Sequence, residues 1–282
     1  MINPEAPFAD LRAPDGAFAR VYLDGAQVAQ WIPADSTDDR LFVSPNAQYG
    51  AGLVIRGGIP VCFPQFGTFG PFAQHGFARH CRWTITDDTR TSDGLVVLSL
   101  TERDVPPATA EALETMWPHR FSADLHVAVG GDTLSVTLVV TNTGDSAFAF
   151  TAALHPYFAV RDAFAVSVHG LDGLTFRDAL QGGAELTAPE APLAITGPLD
   201  RIYFSAPDAL ELREPHRTLR IEKDGFTDAV VWNPGTEGTA SREDFQPGDE
   251  RHMVCVEAAV IRPGVTLAPG AAWAGTQRMV AS

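Results

Sequence analysis

Lysine is almost missing from this 282-residue sequence, in which Lys223 is the only lysine among 20 basic residues. It lies within Glu-Lys-Asp-Gly, a pattern typical of a solvent-exposed hairpin turn. Sugar chemistry through a Schiff base needs a desolvated lysine, whose amine is uncharged and nucleophilic. The sequence therefore argues against a Schiff-base enzyme.

Positive charge as a whole is scarce. The chain has 35 acidic against 20 basic residues, a formal net charge of −15, and no block of lysines or arginines. Proteins that bind nucleic acids or anionic membranes carry a basic face or stripe. We therefore expect no nucleic acid and no membrane as partner. A small anionic ligand remains compatible with this net charge, provided that a local cluster of positive groups binds it despite the negative potential of the whole protein.

Long apolar runs and paired cysteines are also lacking. No stretch approaches the ~18 apolar residues of a membrane helix, and the first residues show no basic segment followed by an apolar run, as a secretory signal would. Cys62, Cys81 and Cys255 are odd in number and lack CxxC spacing. This pattern fits small buried side chains in a reducing compartment and argues against a zinc ribbon. We expect a cytoplasmic protein and a monomer.

Short alternating apolar segments, in contrast, are abundant. Residues 121–129 and 134–140 alternate between apolar and polar and are joined by Gly-Gly-Asp, which predicts an antiparallel hairpin. Two further hairpins are predicted for residues 17–32, around Asp-Gly, and for residues 84–103. Residues 41–44 are another candidate strand.

The C-terminal half continues the same pattern, whereas only residues 108–116 look helical. Many short strands without alternating helices indicate a sandwich or a barrel. No linker, repeat or low-complexity tract divides the chain, so we predict one all-β domain over residues 1–282. The downstream strand candidates are AFAVSV, LAIT, RIYFSA, LELRE, TLRIEK, DAVVWN, RHMVCVEAAV and WAGTQRMV.

Residues 56–83 break this pattern. They hold five glycines and three prolines within 28 residues, so neither helical nor strand periodicity survives. A loop of this length inside a compact domain is usually functional, and its arginine, glutamine and histidine side chains can bind anions and sugars. An Ω-loop packed on its own phenylalanines is the open alternative.

Two polar residues stand out within apolar strand segments. His155 lies in FAFTAALHPYF, and Glu257 shares one strand face with Met253 and Cys255. A carboxylate buried without a partner costs several kcal/mol, so Glu257 must be paired or hydrogen-bonded. The two residues can form an acid/base pair. A core histidine and a structural ion pair are the alternatives.

Two arginines, Arg56 and Arg79, lie in the glycine-rich segment. The planar guanidinium group matches the oxygens of a phosphate or a carboxylate. Two such groups in one loop predict an anion-binding clamp. Surface ion pairs with some of the 35 acidic residues are the alternative.

A metal centre is a further alternative. His75 and His80 could join His155 and Glu257 as ligands, as in a cupin. No HxH or HxxxH pair on a strand supports such a site. We therefore predict no metal.

Three pieces of the glycine-rich segment resemble the signature of a known family. RGGIP (56–60), CFPQFG (62–67) and HGFAR (75–79) are similar to sequences of the hexose-6-phosphate mutarotases, the glucose-6-phosphate 1-epimerases of the aldose 1-epimerase superfamily. The resemblance covers nearly the whole chain in the family's order. It continues at ALHPYF (153–158), LDRIY (199–203), VWNPG (231–235) and VCVEAA (254–259).

The resemblance implies a fold and a set of site residues. The fold is a large antiparallel β-sandwich, the galactose mutarotase-like supersandwich. His155 matches the family's general acid and Glu257 its general base, with no cofactor. One departure is that residues 68–73 are shorter and more aromatic than the family's form, which leaves the exact sugar open. The matches to positions that bind or adjoin the substrate are Arg56, Gln74, His75, Arg79 and Asp200.

The implied activity is that of an isomerase that interconverts the α and β anomers of an aldohexose 6-phosphate, with D-glucose 6-phosphate as the expected substrate. Two functions from other classes stay open. One is a carbohydrate-binding sandwich module without catalysis. The other is a glycoside hydrolase, which needs two carboxylates about 5–10 Å apart, and for which Asp200 with Glu257 is the only candidate pair.

Overall fold

The computed structural model describes residues 6–282, and its strands lie in three antiparallel sheets. The smallest sheet belongs to the N-terminal segment, where the hairpin predicted for residues 17–32 is confirmed. Its three strands follow the order of the chain: β1 (Phe8–Arg12), β2 (Phe18–Tyr22) and β3 (Gln27–Ile32).

A nine-stranded sheet contains the hairpin that the alternating pattern predicts best. In both of its strands each second residue is buried, and Phe121 lies opposite Asn142. The hairpin predicted for residues 84–103 lies beside it. The strands are β5 (Thr84–Asp87), β6 (Leu95–Thr101), β7 (Phe121–Gly130), β8 (Thr133–Asn142), β11 (Ser167–His169), β14 (Leu193–Ala194), β16 (Ala209–Glu214), β17 (Arg217–Asp224) and β20 (Ala272–Ala281).

An eight-stranded sheet forms the second large layer. In its centre, the strands of residues 175–178, 199–203, 228–233, 253–267 and 148–154 lie side by side in this order, so segments far apart in sequence become neighbours. The strands are β4 (Val61–Cys62), β9 (Phe148–Leu154), β10 (Tyr157–Ala159), β12 (Thr175–Asp178), β13 (Ala184–Thr187), β15 (Leu199–Tyr203), β18 (Asp228–Asn233) and β19 (Met253–Leu267).

The two large sheets pack against each other through one hydrophobic core. Val254 and Val256 of β19 belong to the same buried cluster as Leu138 of β8 and Ile221 of β17. Because side chains alternate along a strand, Cys255 and Glu257 lie on the opposite face of β19. This is the β-sandwich that we predicted, and one face of the eight-stranded sheet stays free for a site. The same cluster includes residues of the N-terminal sheet; the single domain over residues 1–282 remains a prediction, because residues 1–5 lie outside the described part.

The helices of the described residues are short. The helix predicted for residues 108–116 is confirmed as α1 (Pro107–Met116), and an unpredicted α2 (Gly235–Ala240) follows β18. No helix within residues 6–282 is long and apolar enough to cross a membrane. Residues 41–44 form isolated bridges to Phe158 and Gly57 instead of the strand that we expected.

The expectation for Lys223 is wrong. Lys223 lies in β17 on the same inward face as Ile221, and only 7% of it is exposed. Its apolar stem enters the core, and its amine donates hydrogen bonds to the carbonyls of Ala206 and Phe226, both at 2.8 Å. The amine is therefore engaged by backbone oxygens, and Lys223 does not line the cleft described below.

The glycine-rich segment is held against the N-terminal sheet by close backbone contacts. A Cβ atom at Gly58 would lie 2.3 Å from the carbonyl oxygen of Val28, and Gly58 has a φ of +60°. Phe63 and Phe77 of the segment enter the main core. The Ω-loop alternative is thus partly right, since some of the phenylalanines serve packing while the polar residues face a cleft.

Candidate active site

Two parallel rows of side chains cross the free face of the eight-stranded sheet. Residues opposite each other in the register point to the same side, so each row joins four strands. The first row runs across β12, β15, β18 and β19 and ends at Glu257. Its members are Arg177, Ile202, Val230 and Glu257. The second row consists of Asp200, Trp232, Cys255 and Tyr157.

These rows form the floor of a cleft of about 260 Å³, and residues of the glycine-rich segment form its wall. The structure brings together all seven residues that the sequence singled out. A second hollow of about 480 Å³ adjoins the cleft and shares Arg56, Arg79, Tyr157 and Arg242 with it. The seven predicted residues are Arg56, Gln74, His75, Arg79, His155, Asp200 and Glu257.

His155 and Glu257 lie in contact at the deep end of the cleft. His155 Nε2 is 3.3 Å from Glu257 Oε1, and both side chains are buried. His155 follows the end of β9, where its backbone N–H donates to the carbonyl of Pro60. Within residues 6–282, His155 Nδ1 and Glu257 Oε2 have no hydrogen-bond partner. One oxygen of the Glu257 carboxyl group is therefore buried beside the cleft without a hydrogen-bond donor from the described residues.

Burial shifts the two groups toward their uncharged forms. Burial, with a further contribution from Asp200, raises the pKa of Glu257 well above its ordinary value. Burial, with His75 and Arg79 nearby, lowers the pKa of His155 well below its ordinary value. Between the lowered pKa of His155 and the raised pKa of Glu257, the pair holds one exchangeable proton and is neutral overall. The proton can lie on the carboxyl group or on the imidazole, so the pair can both accept and donate a proton.

His75 is held as a neutral donor beside this pair. Its backbone N–H donates to the carbonyl of Gly67, and its Nδ1 accepts from the N–H of Gly67 at 3.2 Å. Its remaining ring proton is therefore on Nε2. Burial, with Arg79 and Arg56 nearby, lowers the pKa of His75 to about 3. Its ring centre is 5.6 Å from that of His155.

Arg56 is fixed by three neighbours. Its Nε donates to Oδ2 of Asp244 at 3.0 Å, and its Nη1 donates to the hydroxyl of Tyr157 at 3.0 Å. Its guanidinium carbon lies 4.9 Å from the ring centre of Phe245. Tyr157 in turn stacks on His155, with ring centres 5.0 Å apart. Arg56 is thus oriented at the same end of the cleft as His155.

Arg79 is less engaged by the protein. Its Nη2 donates to the backbone carbonyl of Gln74 at 2.7 Å, and its buried Nε has no partner within residues 6–282. No ion pair with a carboxylate is formed by Arg79 in the described part of the chain. A guanidinium that lines the cleft without a carboxylate partner is suited to binding an anion.

Asp200 lies on the floor of the cleft in the second row. Burial, with Asp178 nearby, raises the pKa of Asp200. Gln74 lines the rim of the cleft, with its side chain exposed. Both residues add polar groups to a cleft whose floor includes the apolar Ile202 and Val230.

His80 is not part of this group. Its Nδ1 lies 2.9 Å from the carbonyl of Gly52, and the residue lines the adjoining hollow. Within residues 6–282, no three histidine, cysteine or carboxylate side chains are grouped as they are around a metal ion. The three cysteines are buried free thiols.

Sequence reasoning missed several residues that line the cleft. Arg177 and Arg242 carry no motif, so only the strand register and the loop position reveal them. Tyr157 and Trp232 lie inside the quoted motifs ALHPYF and VWNPG and could have been named from them. Asp244 pairs with Arg56 over 188 positions of sequence, and no local pattern predicts such a pair.

Comparison with known proteins identifies the family. The family model described as aldose 1-epimerase matches residues 9–280. This chain belongs to the aldose 1-epimerase family. A relative from Cenchrus ciliaris, provisionally named glucose-6-phosphate 1-epimerase, is 36% identical over 272 residues, which cover 94% of this chain and 82% of the relative. A relative from Escherichia coli K12 with the same provisional name is 32% identical over 245 residues, which cover 84% of this chain and 78% of the relative.

A solved structure agrees with this assignment. The crystal structure of a protein from Salmonella typhimurium, provisionally described as a mutarotase, matches with a TM-score of 0.83 at 26% identity. The match covers 97% of this chain and 89% of the other. This chain and the solved structure thus share one fold.

Proposed function

We propose that this chain interconverts the α and β anomers of an aldohexose 6-phosphate, with D-glucose 6-phosphate as substrate. The observation that carries the proposal is the contact of His155 Nε2 with Glu257 Oε1 at 3.3 Å in a cleft lined by arginines. The provisional names of the two curated relatives support the substrate class.

The reaction needs one base and one acid that exchange their roles. In the competent form Glu257 is a carboxylate and His155 is an imidazolium. Glu257 takes the proton of the anomeric hydroxyl while His155 gives its proton to the ring oxygen, so the C1–O5 bond breaks and an aldehyde forms. Rotation about C1–C2 presents the other face of the aldehyde. Closure reverses both transfers and restores the starting proton positions.

The proton inventory of the site fits this cycle. The competent form holds one exchangeable proton on the pair, the same number as the neutral form that burial favours. No proton has to come from bulk water during a turnover. Each positioned proton transfer contributes about 10²- to 10⁴-fold, which suits a ring opening that also proceeds slowly in water.

The arginines supply the contacts for the phosphate group in this proposal. Arg56 is oriented by Asp244 and Tyr157, and Arg79 lines the cleft without a carboxylate partner among the described residues. Charge-assisted hydrogen bonds to a phosphate are short and strong. His75, as a neutral Nε2–H donor, and Gln74 would bind sugar oxygens, and Asp200 would accept from a ring hydroxyl.

Nuclear magnetic resonance exchange spectroscopy on glucose 6-phosphate tests the function and separates it from the alternatives. The proposal predicts exchange between the α and β anomeric protons that grows with protein concentration, without a new sugar or free phosphate. A hydrolase would release a new product from a glycoside. A binding module would broaden the signals without increasing the exchange, and that result would overturn the proposal.

We also propose that the chain acts as a monomer, because one chain supplies a complete cleft, and that it is cytoplasmic, because its three buried free thiols suit a reducing compartment. Light scattering coupled to size-exclusion chromatography should give a mass near 30 kDa, close to the 30.2 kDa of one chain. A dimer mass at micromolar concentration would contradict the monomer. Cell fractionation checks the compartment.

A further inference from the structure

Arg177 occupies the far end of the first row, opposite Glu257. The row crosses from β12 to β19 by way of Ile202 and Val230. Three strand spacings separate the Cα atoms of Arg177 and Glu257, about 14 Å in total. Both side chains line the cleft. Ile202 and Val230 form the floor of the cleft between them.

Two contacts hold the guanidinium group of Arg177 in place. Its carbon lies 5.3 Å from the ring centre of Phe69, in the short aromatic segment that departs from the family's form. On another side it packs on Gly183, where a Cβ atom would lie 2.3 Å from Arg177 Nη2. Gly183 also has a φ of +81°, a conformation that favours glycine. The backbone and the ring together hold the arginine at the cleft.

Arg177 is free of carboxylates although the chain has an excess of them. Among residues 6–282, thirteen of the nineteen arginines form ion pairs with carboxylates. Glu185 lies directly opposite Arg177 on β13, yet Glu185 binds Arg262 Nη1 at 2.5 Å. Three of the six remaining arginines, Arg79, Arg177 and Arg242, line this one cleft. The donors of Arg177 are therefore available to a ligand.

The proposed mechanism, on which this inference rests, fixes the direction of the sugar. Glu257 serves O1 and His155 serves the ring oxygen, so the C1–O5 edge lies over this pair. C5 and C6 lie on the ring-oxygen side, where Tyr157 links His155 to Arg56. The phosphate on C6 is therefore at the Arg56 end. The opposite edge of the ring, with C3 and C4, must then point along the row toward β12.

We propose that Arg177 is a specificity-determining residue that binds the hydroxyl groups on C3 and C4 of the sugar. Arg177 donates to these oxygens, while Asp200, a carboxylate on the adjacent strand β15, accepts a hydrogen bond from one of the hydroxyls. A guanidinium and a carboxylate complement a pair of adjacent hydroxyls, because each hydroxyl both donates and accepts. The residue thus recognises the part of the sugar that the phosphate clamp does not contact.

Substitution of Arg177 tests this assignment through a comparison of substrates. For Arg177→Ala, kcat/KM should fall by about 10- to 150-fold, the loss expected for one charge-assisted hydrogen bond. The loss should be equal on glucose 6-phosphate and on free glucose, because the contact does not involve the phosphate. Arg177→Lys should recover part of the activity. Arg213→Ala, which removes an exposed arginine of β16, is the matched control and should leave kcat/KM unchanged.

Modified sugars make the test specific to C3 and C4. The wild-type protein should lose activity on the 3-deoxy and 4-deoxy analogues of glucose 6-phosphate, and Arg177→Ala should lose little more on them. A loss confined to phosphorylated sugars would show that Arg177 binds phosphate, and unchanged kinetics would show that it binds nothing; either result overturns the inference. An inactive wild-type protein would instead refute the proposed function. Thermal melting of Arg177→Ala and Arg177→Lys verifies that both variants fold.

Discussion

At the scale of single residues, the behaviour of the site follows from one shared proton. Glu257 and His155 are both buried, and each is shifted toward its neutral form. Together they keep one proton on the pair over a wide pH range, and moving that proton from the carboxyl group to the imidazole creates the ion pair that the reaction uses.

The dependence of rate on pH should reflect this pair. At low pH the pair takes up a second proton, with a pKa below the ordinary 6.5 because His155 is lowered. At high pH it loses its last proton, with a pKa above the ordinary 4.5 because Glu257 is raised. We expect kcat/KM to be flat around neutrality and to fall on both sides. Free glucose is the preferred substrate for this measurement, since its profile contains no phosphate ionisation. An acid limb at pH 6.5 or above would contradict the assignment.

Arg79 should distinguish a phosphorylated substrate from a free sugar. The net charge of −15 repels a dianion at long range, so binding depends on short contacts within the cleft. Arg79→Ala should lower kcat/KM for glucose 6-phosphate by about 10- to 150-fold and change the rate on free glucose little. Arg56→Ala should behave alike. Steady-state kinetics of both variants on both sugars test this prediction. Equal losses of kcat/KM on the two substrates in both variants would mean that neither arginine binds the phosphate.

At the scale of elements, local patterns predicted the strands that alternate strictly. β7 and β8 bury every second residue, and this hairpin was evident from the sequence. The hairpin of β12 and β13 was not, because β13 is exposed along its whole length and carries no apolar period. The prediction for Lys223 was wrong for a related reason. Its charged amine suggested a solvent-exposed position, whereas the alternation along β17 places its side chain in the interior.

The glycine-rich segment depends on backbone contacts that allow no side chain. We expect Gly58→Ala to destabilise the protein by about 1–3 kcal/mol, since its Cβ would clash at 2.3 Å with the carbonyl of Val28 in addition to the strain of a positive φ. Gly52→Ala is the matched control, because Gly52 has a φ of +79° with nothing within 4 Å of its Cβ. Chemical denaturation compares the two variants. Equal losses of stability would show that only the positive φ matters.

At the scale of the whole molecule, the site is a product of sheet register. Arg177, Glu257 and the residues between them are separated by up to 80 positions, yet they lie in one row. Sequence motifs identified the seven predicted residues, because each motif is local. The row, the ion pair of Arg56 with Asp244 and the role of Gly183 arise from pairing between distant strands and loops. Such pairing leaves no local signal, so it had to be taken from the structure.

Burial of Glu257 within the fold predicts how its replacement affects stability. A buried carboxyl with a raised pKa stabilises the folded state most at low pH, and that contribution is lost as pH rises through its folded-state pKa. Glutamine keeps the shape of the side chain but cannot ionise, so it does not lose stability as pH rises. Glu257→Gln should therefore melt at the same or a higher temperature than the wild type at neutral pH.

Anomeric exchange of glucose 6-phosphate in the Glu257→Gln variant tests the central claim most directly. Exchange spectroscopy at equal concentrations of folded protein should show a rate about 10²- to 10⁴-fold below that of the wild type, because the variant lacks its base. A folded Glu257→Gln protein that interconverts the anomers at nearly the wild-type rate would contradict the acid/base mechanism.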